Sequence, residues 1–302
     1  MVKNKKRRWI KIILKYEVSK LEENSRISHI LRDKLQISAR LLNKLKMNEK
    51  ILVNNVPVFS SYIVHADDKI EVYIDFEEED NILPEEMKLD ILYEDDYIIA
   101  VNKPAGIVVH PSSYHPNGTL ANGIKFYLNN KKKIRAINRL DRDTSGIVLF
   151  AKNEYIQELM IQQKTIHKEY LAIITGVMEN KTGIIDLPIA RKDGSIMERE
   201  INSNGQKAIT YYNVISESSD KSLSLVHIEL ATGRTHQIRV HFAYFGNYIL
   251  GDSLYGPETK IINRQSLHAW KVSFVHPITK KNVTLEAPLF ADMKNVIETY
   301  NL

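Results

Sequence analysis

The chain has 302 residues and a mass of 34.9 kDa, enough for two domains, with 43% hydrophobic and 26% charged residues, as in an ordinary soluble globular protein. It contains no cysteine, which excludes a disulfide framework, a zinc–thiolate site and thiol catalysis. Net charge is +7 over residues 1–76, −9 over 77–96 and +7 over 97–302, so two basic bodies flank an acidic stretch. With an isoelectric point near 9.0, this distribution predicts a polyanionic partner, because each Lys or Arg set against a phosphate releases condensed counterions. Behind the basic run Lys3 to Arg8, the apolar segment Trp9 to Leu14 is broken by Lys11, too short and too charged for a signal peptide. The longest apolar runs, Tyr97 to Val101 and Ile147 to Ala151, are strand-sized and cannot span a bilayer. The expectation is a cytoplasmic protein with no membrane association.

Residues 10–18 partly alternate and predict an opening strand. Asn24 or Ser25 is placed to cap a helix carrying Ile27, Ile30, Leu31 and Leu35. Ser38 caps a second, which turns Leu41, Leu42 and Leu45 inward and shows Arg40, Lys44 and Lys46 to solvent. Two short strands follow, Ile51 to Val53 and Val56 to Phe59, joined at Asn54-Asn55, a pair that tolerates left-handed backbone. A third strand is predicted over Ile70 to Phe76. This stretch, Arg26 to Val72, resembles the RNA-binding domain first known from a small-subunit ribosomal protein, through Ile37-Ser38-Ala39-Arg40-Leu41-Leu42 and Val53-Asn54-Asn55-Val56-Pro57-Val58. It departs at Asn55 and Asp67, where that family usually has glycine. Taken without a neighbouring RNA enzyme, the same residues equally describe a helix pair whose lysines only solvate one face.

Glu77 to Glu86 is acidic and contains Pro84, the composition of a linker. Beyond Leu89, strands are predicted at 91–93, 97–101, 107–109, 146–151, 170–175, 208–214 and 223–230, with helices at 154–163 and 235–245. The pattern is α+β: a catalytic domain on a mainly antiparallel mixed sheet with flanking helices, plus a small N-terminal α/β RNA-binding domain. The expected boundaries are 1–76, an acidic linker at 77–88, and 89–302.

The segment Asn138-Arg139-Leu140-Asp141-Arg142-Asp143-Thr144-Ser145-Gly146 packs two acids and two arginines just before the apolar strand 147–151. A carboxylate placed there projects at the sheet edge, and a guanidinium beside it favours the ionised form, which can act as nucleophile or base. On residue chemistry alone the same segment is also a polar turn capped by Asp143.

Arg-Leu-Asp-x-x-Thr-Ser-Gly followed by an apolar strand and Ala-Lys resembles the central motif of the RluA/RluD family of pseudouridine synthases. Three more blocks fit that family in order: Val101 to Pro111, Lys168-Glu169-Tyr170-Leu171-Ala172, and Thr232-Gly233-Arg234-Thr235-His236-Gln237-Ile238-Arg239-Val240-His241. Gly251-Asp252, Tyr255-Gly256, Leu267 to Trp270 and Phe274 to Pro277 complete the pattern, so the resemblance covers about residues 90–290. It implies Asp141 as the catalytic aspartate, Tyr170 against the target base, and Arg234 as the arginine paired with that carboxylate. It also implies that Arg139 enters the RNA stack as the uridine leaves, and that neither a metal nor an organic cofactor takes part. Arg40, Lys44, Lys131, Lys132 and Lys133 are the candidate RNA contacts. The departure is Asn138, where most members have histidine, and altered packing or RNA contact is expected there.

The helix opening near Thr235 is expected to bury Ile238, Phe242 and Phe245 and to stop at Gly246. His236 and His241 lack metalloprotease spacing, and His110-Pro111 and His276-Pro277 are best read as strand-end turns. Isomerisation of uridine breaks the N1–C1′ bond, turns the ring and joins C5 to C1′, which suits one carboxylate in a dry pocket after the base has left its stack. The expected partner is ribosomal RNA of the large subunit or transfer RNA, bound by a monomer. The alternatives are a non-catalytic RNA-binding or ribosome-assembly protein of the same fold and, more distantly, a metal-dependent hydrolase.

Overall fold

The computed structural model describes residues 12–75, 82–129, 133–163 and 165–302. The N-terminal part contains β1 (Ile12–Glu17), α1 (Ile27–Asp33), α2 (Ala39–Met47), β2 (Ile51–Val53), β3 (Val56–Pro57) and β4 (Lys69–Ile74). Its four strands pair antiparallel in the order β1-β4-β2-β3, and Ile27, Ile30, Leu31, Leu41, Leu42 and Leu45 of the helices are buried in its core. Ser38 caps α2 as expected, its Oγ accepting from the Leu41 amide at 3.1 Å. The first helix instead starts after Arg26, because Ser25 donates its hydroxyl to the Glu22 carbonyl at 2.6 Å. Asn54 and Asn55 both take positive φ (49° and 68°) in the β2–β3 turn, and Asp67 has φ 66°. Asn55 and Asp67, the two departures from glycine, therefore occupy left-handed backbone that Asn and Asp tolerate.

The rest of the chain contains β5 (Ile91–Glu94), β6 (Ile98–Lys103), α3 (Leu120–Tyr127), β7 (Arg135–Ala136), β8 (Ser145–Ala151), α4 (Glu154–Gln162) and β9 (His167–Thr175). There follow β10 (Thr182–Asp186), β11 (Ile189–Arg191), β12 (Arg199–Ile201), β13 (Ile209–Glu217), β14 (Leu223–Leu230) and α5 (Gln237–Tyr244). The chain closes with β15 (Leu267–Val275), β16 (Asn282–Glu286) and α6 (Ala291–Tyr300). The main sheet runs β10-β13-β14-β9-β15-β8-β6-β5, with β16 on β15 and β7 on β8, while β11 and β12 form a separate hairpin. Every pairing is antiparallel except β15 with β8, so the fold is the α+β arrangement with a mainly antiparallel mixed sheet. Among the described residues, no helix is long and apolar enough to cross a membrane.

Residues 107–109 do not form the expected strand. Gly106 turns the chain at φ 84°, and the Val108 and Val109 carbonyls accept from the Leu120 and Ala121 amides at the start of α3. Of the acidic stretch, residues 77–81 lie outside the described residues. Farther on, Glu85 accepts from the Gly118 amide and Asn122 donates to the Leu83 carbonyl, so this portion is bound along α3 rather than hanging as a free linker.

The two halves of the large sheet meet where β8 lies parallel to β15, at Ser145 opposite His268 and Gly146 opposite Ala269. Gly146 has φ 112°, and a Cβ there would fall on the backbone of Ala269. Gly146→Ala is therefore expected to cost about 3 kcal/mol or more, read as a lowered urea midpoint. Beside it, buried His268 faces the Ser145 hydroxyl through Nδ1 (2.9 Å) and the Ala287 carbonyl through Nε2 (3.2 Å). An Nε2–H donating to that carbonyl leaves Nδ1 to accept, which is the neutral ring, and burial pushes the imidazole down to about 4. Between pH 6.5 and about 4 the unfolded chain takes up a proton that the folded chain refuses, so stability falls as pH falls through this window, by about 3 kcal/mol at most. A near-neutral His268→Gln replacement should flatten the urea-unfolding free energy between those pH values; an unchanged slope would contradict the assignment.

Candidate active site

The segment carrying Asp141 is clamped from three directions. Asn138 donates Nδ2–H to the Ile147 carbonyl (3.0 Å) and accepts the Leu149 amide on Oδ1 (2.7 Å), continuing the β7–β8 ladder with its side chain. The residue at the family's histidine position thus packs on the β8 backbone. The Thr144 amide donates to the Asp141 carbonyl, and the Thr144 hydroxyl accepts from Gln265. The third clamp is Lys103, fully buried, whose ammonium donates to the carbonyls of Pro104, Ile107 and Arg142 at 2.8–2.9 Å. Three donors meet three acceptors, and one of those acceptors belongs to the residue next to Asp141. Burial pushes Lys103 down to about 7, opposed by Asp143 and Asp141.

Arg239, on α5, holds the Asp141 carboxylate. Its Nη1 donates to Asp141 Oδ2 at 2.9 Å, while Nε and Nη2 make a fork with Asp252 at 2.6 and 2.8 Å. Arg239 and Asp252 are buried, whereas the Asp141 side chain keeps 29% exposure. Burial works against the guanidinium's charge, and Asp252 and Asp141 outweigh it, raising Arg239 above its ordinary range. Gly251 sets the Asp252 turn at φ 79°, where a Cβ would strike the Arg264 carbonyl.

His236 stands next to this pair, with Nε2 3.7 Å from Asp141 Oδ2 and Nδ1 2.8 Å from the Tyr255 hydroxyl. That hydroxyl already accepts from the Arg199 amide at 2.8 Å, which leaves its own proton for Nδ1. A neutral His236 then presents Nε2–H toward Asp141. Burial lowers the imidazole, with Arg239 and Arg199 adding to the effect and Asp141 opposing it.

Tyr170, on β9, is buried with its hydroxyl unpartnered among the described residues, and burial, then Asp141, raises the phenol so that it stays protonated. Asp141, Tyr170, His236 and Arg239 line a recess of about 70 Å³ walled by Leu140, Leu230, Ile238 and Leu267. It adjoins a cleft of about 900 Å³, at the large end of the roughly 300–1,000 Å³ of ligand pockets, and Asp141 and Tyr170 border both.

The structure corrects the sequence expectation at Arg234. This residue lies before α5, its Nε donating to the Lys207 carbonyl at 3.0 Å, so it borders the cleft and does not pair with Asp141. The arginine that does is Arg239, five residues further on and inside α5. Its signal was present in the sequence: an arginine inside the apolar run of this helix requires carboxylates, which Gly251-Asp252 supplies. Phe245 is half exposed, so the buried face of α5 is carried by Ile238, Val240 and Phe242. Arg142 pairs with Asp143 at 2.9 Å, not with Asp141. Arg139 is exposed on the rim of both cavities. Lys133 borders the cleft, and Lys131 and Lys132 lie outside the described residues. On α2, Arg40 borders the cleft, while Lys44 is turned onto Glu154 at 2.8 Å rather than to open solvent. His241 is buried between the Thr210 hydroxyl and the Leu187 carbonyl. Among the described residues, potential metal ligands converge at Glu169, His227 and Glu229, none of which borders either cavity.

Comparison with known proteins places this geometry. Residues 97–244 match the RNA pseudouridylate synthase family, and residues 14–70 match the RluD ribosomal pseudouridine synthase N-terminal domain. The uncharacterized RNA pseudouridine synthase YhcT of Bacillus subtilis is 39% identical over 303 residues, covering 98% of this chain and 99% of that protein. The chain belongs to the RNA pseudouridine synthase family. A further relative of this synthase, the ribosomal large subunit pseudouridine synthase D of Xanthomonas campestris, is 32% identical over 76% of this chain and 74% of its own length. The solved human RNA pseudouridylate synthase domain containing 4 shares the fold, with a TM-score of 0.57 at 24% identity over 70% of this chain and 93% of that one. The synthase is of the RluA/RluD type, an isomerase acting on RNA.

Removing the two arginines should separate their roles. Arg239→Ala leaves two carboxylates without their cation and should lower kcat by about a hundredfold or more. Arg234→Ala should act mainly on KM, by about tenfold or less, as expected of a cleft-wall cation. Steady-state kinetics on an unmodified RNA transcript checks both, and the reverse order would contradict the geometry.

Proposed function

We propose that this synthase converts uridines of structured RNA, with large-subunit ribosomal RNA as the substrate, to pseudouridine through the Asp141 carboxylate. The observation that carries the proposal is a partly exposed carboxylate at the floor of a recess, fixed by a buried Arg239–Asp252 pair and bordered by the Tyr170 ring. As N1–C1′ breaks, the ribose becomes electron-poor. A fixed anion in a water-poor site stabilises or traps that centre without reorganising. The base turns, C5 joins C1′, and the C5 proton leaves while N1 gains one. Because burial and Asp141 keep Tyr170 protonated, it supplies a ring face and an O–H to the uracil rather than a base. His236, neutral with Nε2 3.7 Å from Asp141 Oδ2, lies beside the carboxylate without a direct hydrogen bond to it.

The 900 Å³ cleft leads from solvent to the recess, so the uridine must leave its stack to enter. Arg139, exposed at the rim, fills the space that the base vacates. Arg40 and Lys133 border the cleft as phosphate contacts. The enzyme works as a cytoplasmic monomer, and neither a metal nor an organic cofactor enters the scheme. Asn138, at the position where most members have histidine, is committed to the β8 backbone and gives the non-catalytic alternative no support.

Asp141→Asn should reduce pseudouridine formation by about a thousandfold or more while leaving RNA affinity within about threefold. Primer-extension mapping and filter binding measure the two quantities. A variant within tenfold of wild-type rate would end the proposal.

A further inference from the structure

One side of the cleft, lined by Arg40 of α2 and Glu154, Gln157 and Glu158 of α4, is built where the N-terminal part meets α4. Ser38 donates its hydroxyl to Glu158 at 2.6 Å, and Tyr155 donates to the Leu35 carbonyl at 2.9 Å. Ile156, Leu159 and Met160 of α4 belong to the same buried apolar cluster as Leu41, Leu42 and Leu45 of α2. At the centre lies Glu154, 7% exposed, with Lys44 at 2.8 Å, Arg40 at 3.3 Å and Arg135 at 3.8 Å. Burial would raise this carboxyl, but Lys44, Arg135 and Arg40 outweigh it and hold it below the usual carboxylate range. The two basic bodies that attract RNA also repel each other, and Glu154 is the carboxylate that pairs cations from both of them at the contact. Lys44 and Arg40 come from one body, Arg135 from the other.

Arg40 keeps 77% side-chain exposure although it touches Glu154, and it borders the same cleft as Asp141. We propose that the N-terminal domain is fixed against the catalytic domain as the second wall of the cleft, so that the RNA strand leaving the target uridine runs along the seam with a phosphate on Arg40. The proposal rests on the reading of the Asp141 recess as the uridine site. A tethered RNA-binding module would only raise the effective concentration of substrate. A fixed wall does more: it sets a constant distance between one phosphate contact and the base that enters the recess, and so selects which uridine is presented. Glu154 is a positioning residue in this scheme, acting through Arg40 and Lys44.

Because the chain has no cysteine, Ser38→Cys with Glu158→Cys introduces two thiols alone, and a short bismaleimide can bridge them in the full-length protein. The free enzyme should cross-link internally, and the bridged form should keep kcat within about threefold and modify the same position of the RNA. No internal bridge, or a bridged enzyme that loses the activity of its unbridged form, would overturn the proposal. As an independent arm, Glu154→Lys should raise KM about tenfold or more with kcat within about threefold, and adding Lys44→Glu should restore it. A double variant no better than Glu154→Lys would also overturn it. Arg40→Ala should lower the slope of log affinity against log salt by about 0.7–0.9, the signature of one lost phosphate contact; an unchanged slope would remove the contact. A wild-type chain that makes no pseudouridine would sink the functional reading instead, while the bridging yield would still test the docking.

Discussion

A buried arginine between two aspartates organises the floor of the recess. Asp252 is fully buried and takes two of Arg239's nitrogens; Asp141 takes the third and keeps one face open to the recess. With Asp252 alone, the guanidinium would have little reason to reach the cleft. With Asp141 alone, a buried cation would be held by one partly solvated partner. Two anions and one cation leave a net negative charge, and the open side of Asp141 is where it is directed. Desolvating such a group is costly unless its hydrogen bonds are complete, which is why the supporting contacts of Tyr255, His236 and the Asp252 turn accompany it.

The same constraint explains the sheet. Asp141 precedes β8 and Arg239 follows β14 on α5, so the two meet only if β8 is brought to the β9–β14 half of the sheet. The short parallel contact of β8 with β15 does this, through Ser145, Gly146, His268 and Ala269. Gly146 is required there because the strands approach too closely for a side chain, and His268 ties Ser145 to the β16 end at Ala287. Asn138 then ties the start of the loop in front of β8 to the β8 backbone, and Lys103 holds its Arg142 carbonyl. The placement of Asp141 is a property of these neighbours more than of its own sequence segment.

Much of this was legible from the residues. Period-two alternation marked β1 and β4, and the buried run at 147–151 marked β8, because apolar strands buried on both faces leave a continuous signal. Ser38 and the Asn54-Asn55 turn could be placed because their chemistry is local. Residues 107–109 misled for the opposite reason: three apolar residues resemble a strand, but Lys103 and the start of α3 claim their carbonyls. Asp141 and Tyr170 were marked by motif. Arg239 was missed in favour of Arg234, since either arginine of the block satisfies a sequence pattern and only the point at which α5 begins, after His236, decides which one reaches the carboxylate. Lys44 was read as solvent-facing because the partner that claims it, Glu154, lies 110 residues away in sequence. Long-range ion pairs of this kind leave no periodic trace.

The central claim is geometric: Arg239 must reach both aspartates at once, and positive charge by itself is insufficient. Arg239→Lys tests it, since an ammonium keeps the charge but cannot form the fork to Asp252 while donating to Asp141. Release of tritium from RNA carrying [5-³H]uridine reports the C5 step directly. The account predicts a fall in the saturated rate of about a hundredfold or more in the lysine variant, with RNA affinity retained. A lysine variant turning over at the wild-type rate would contradict it.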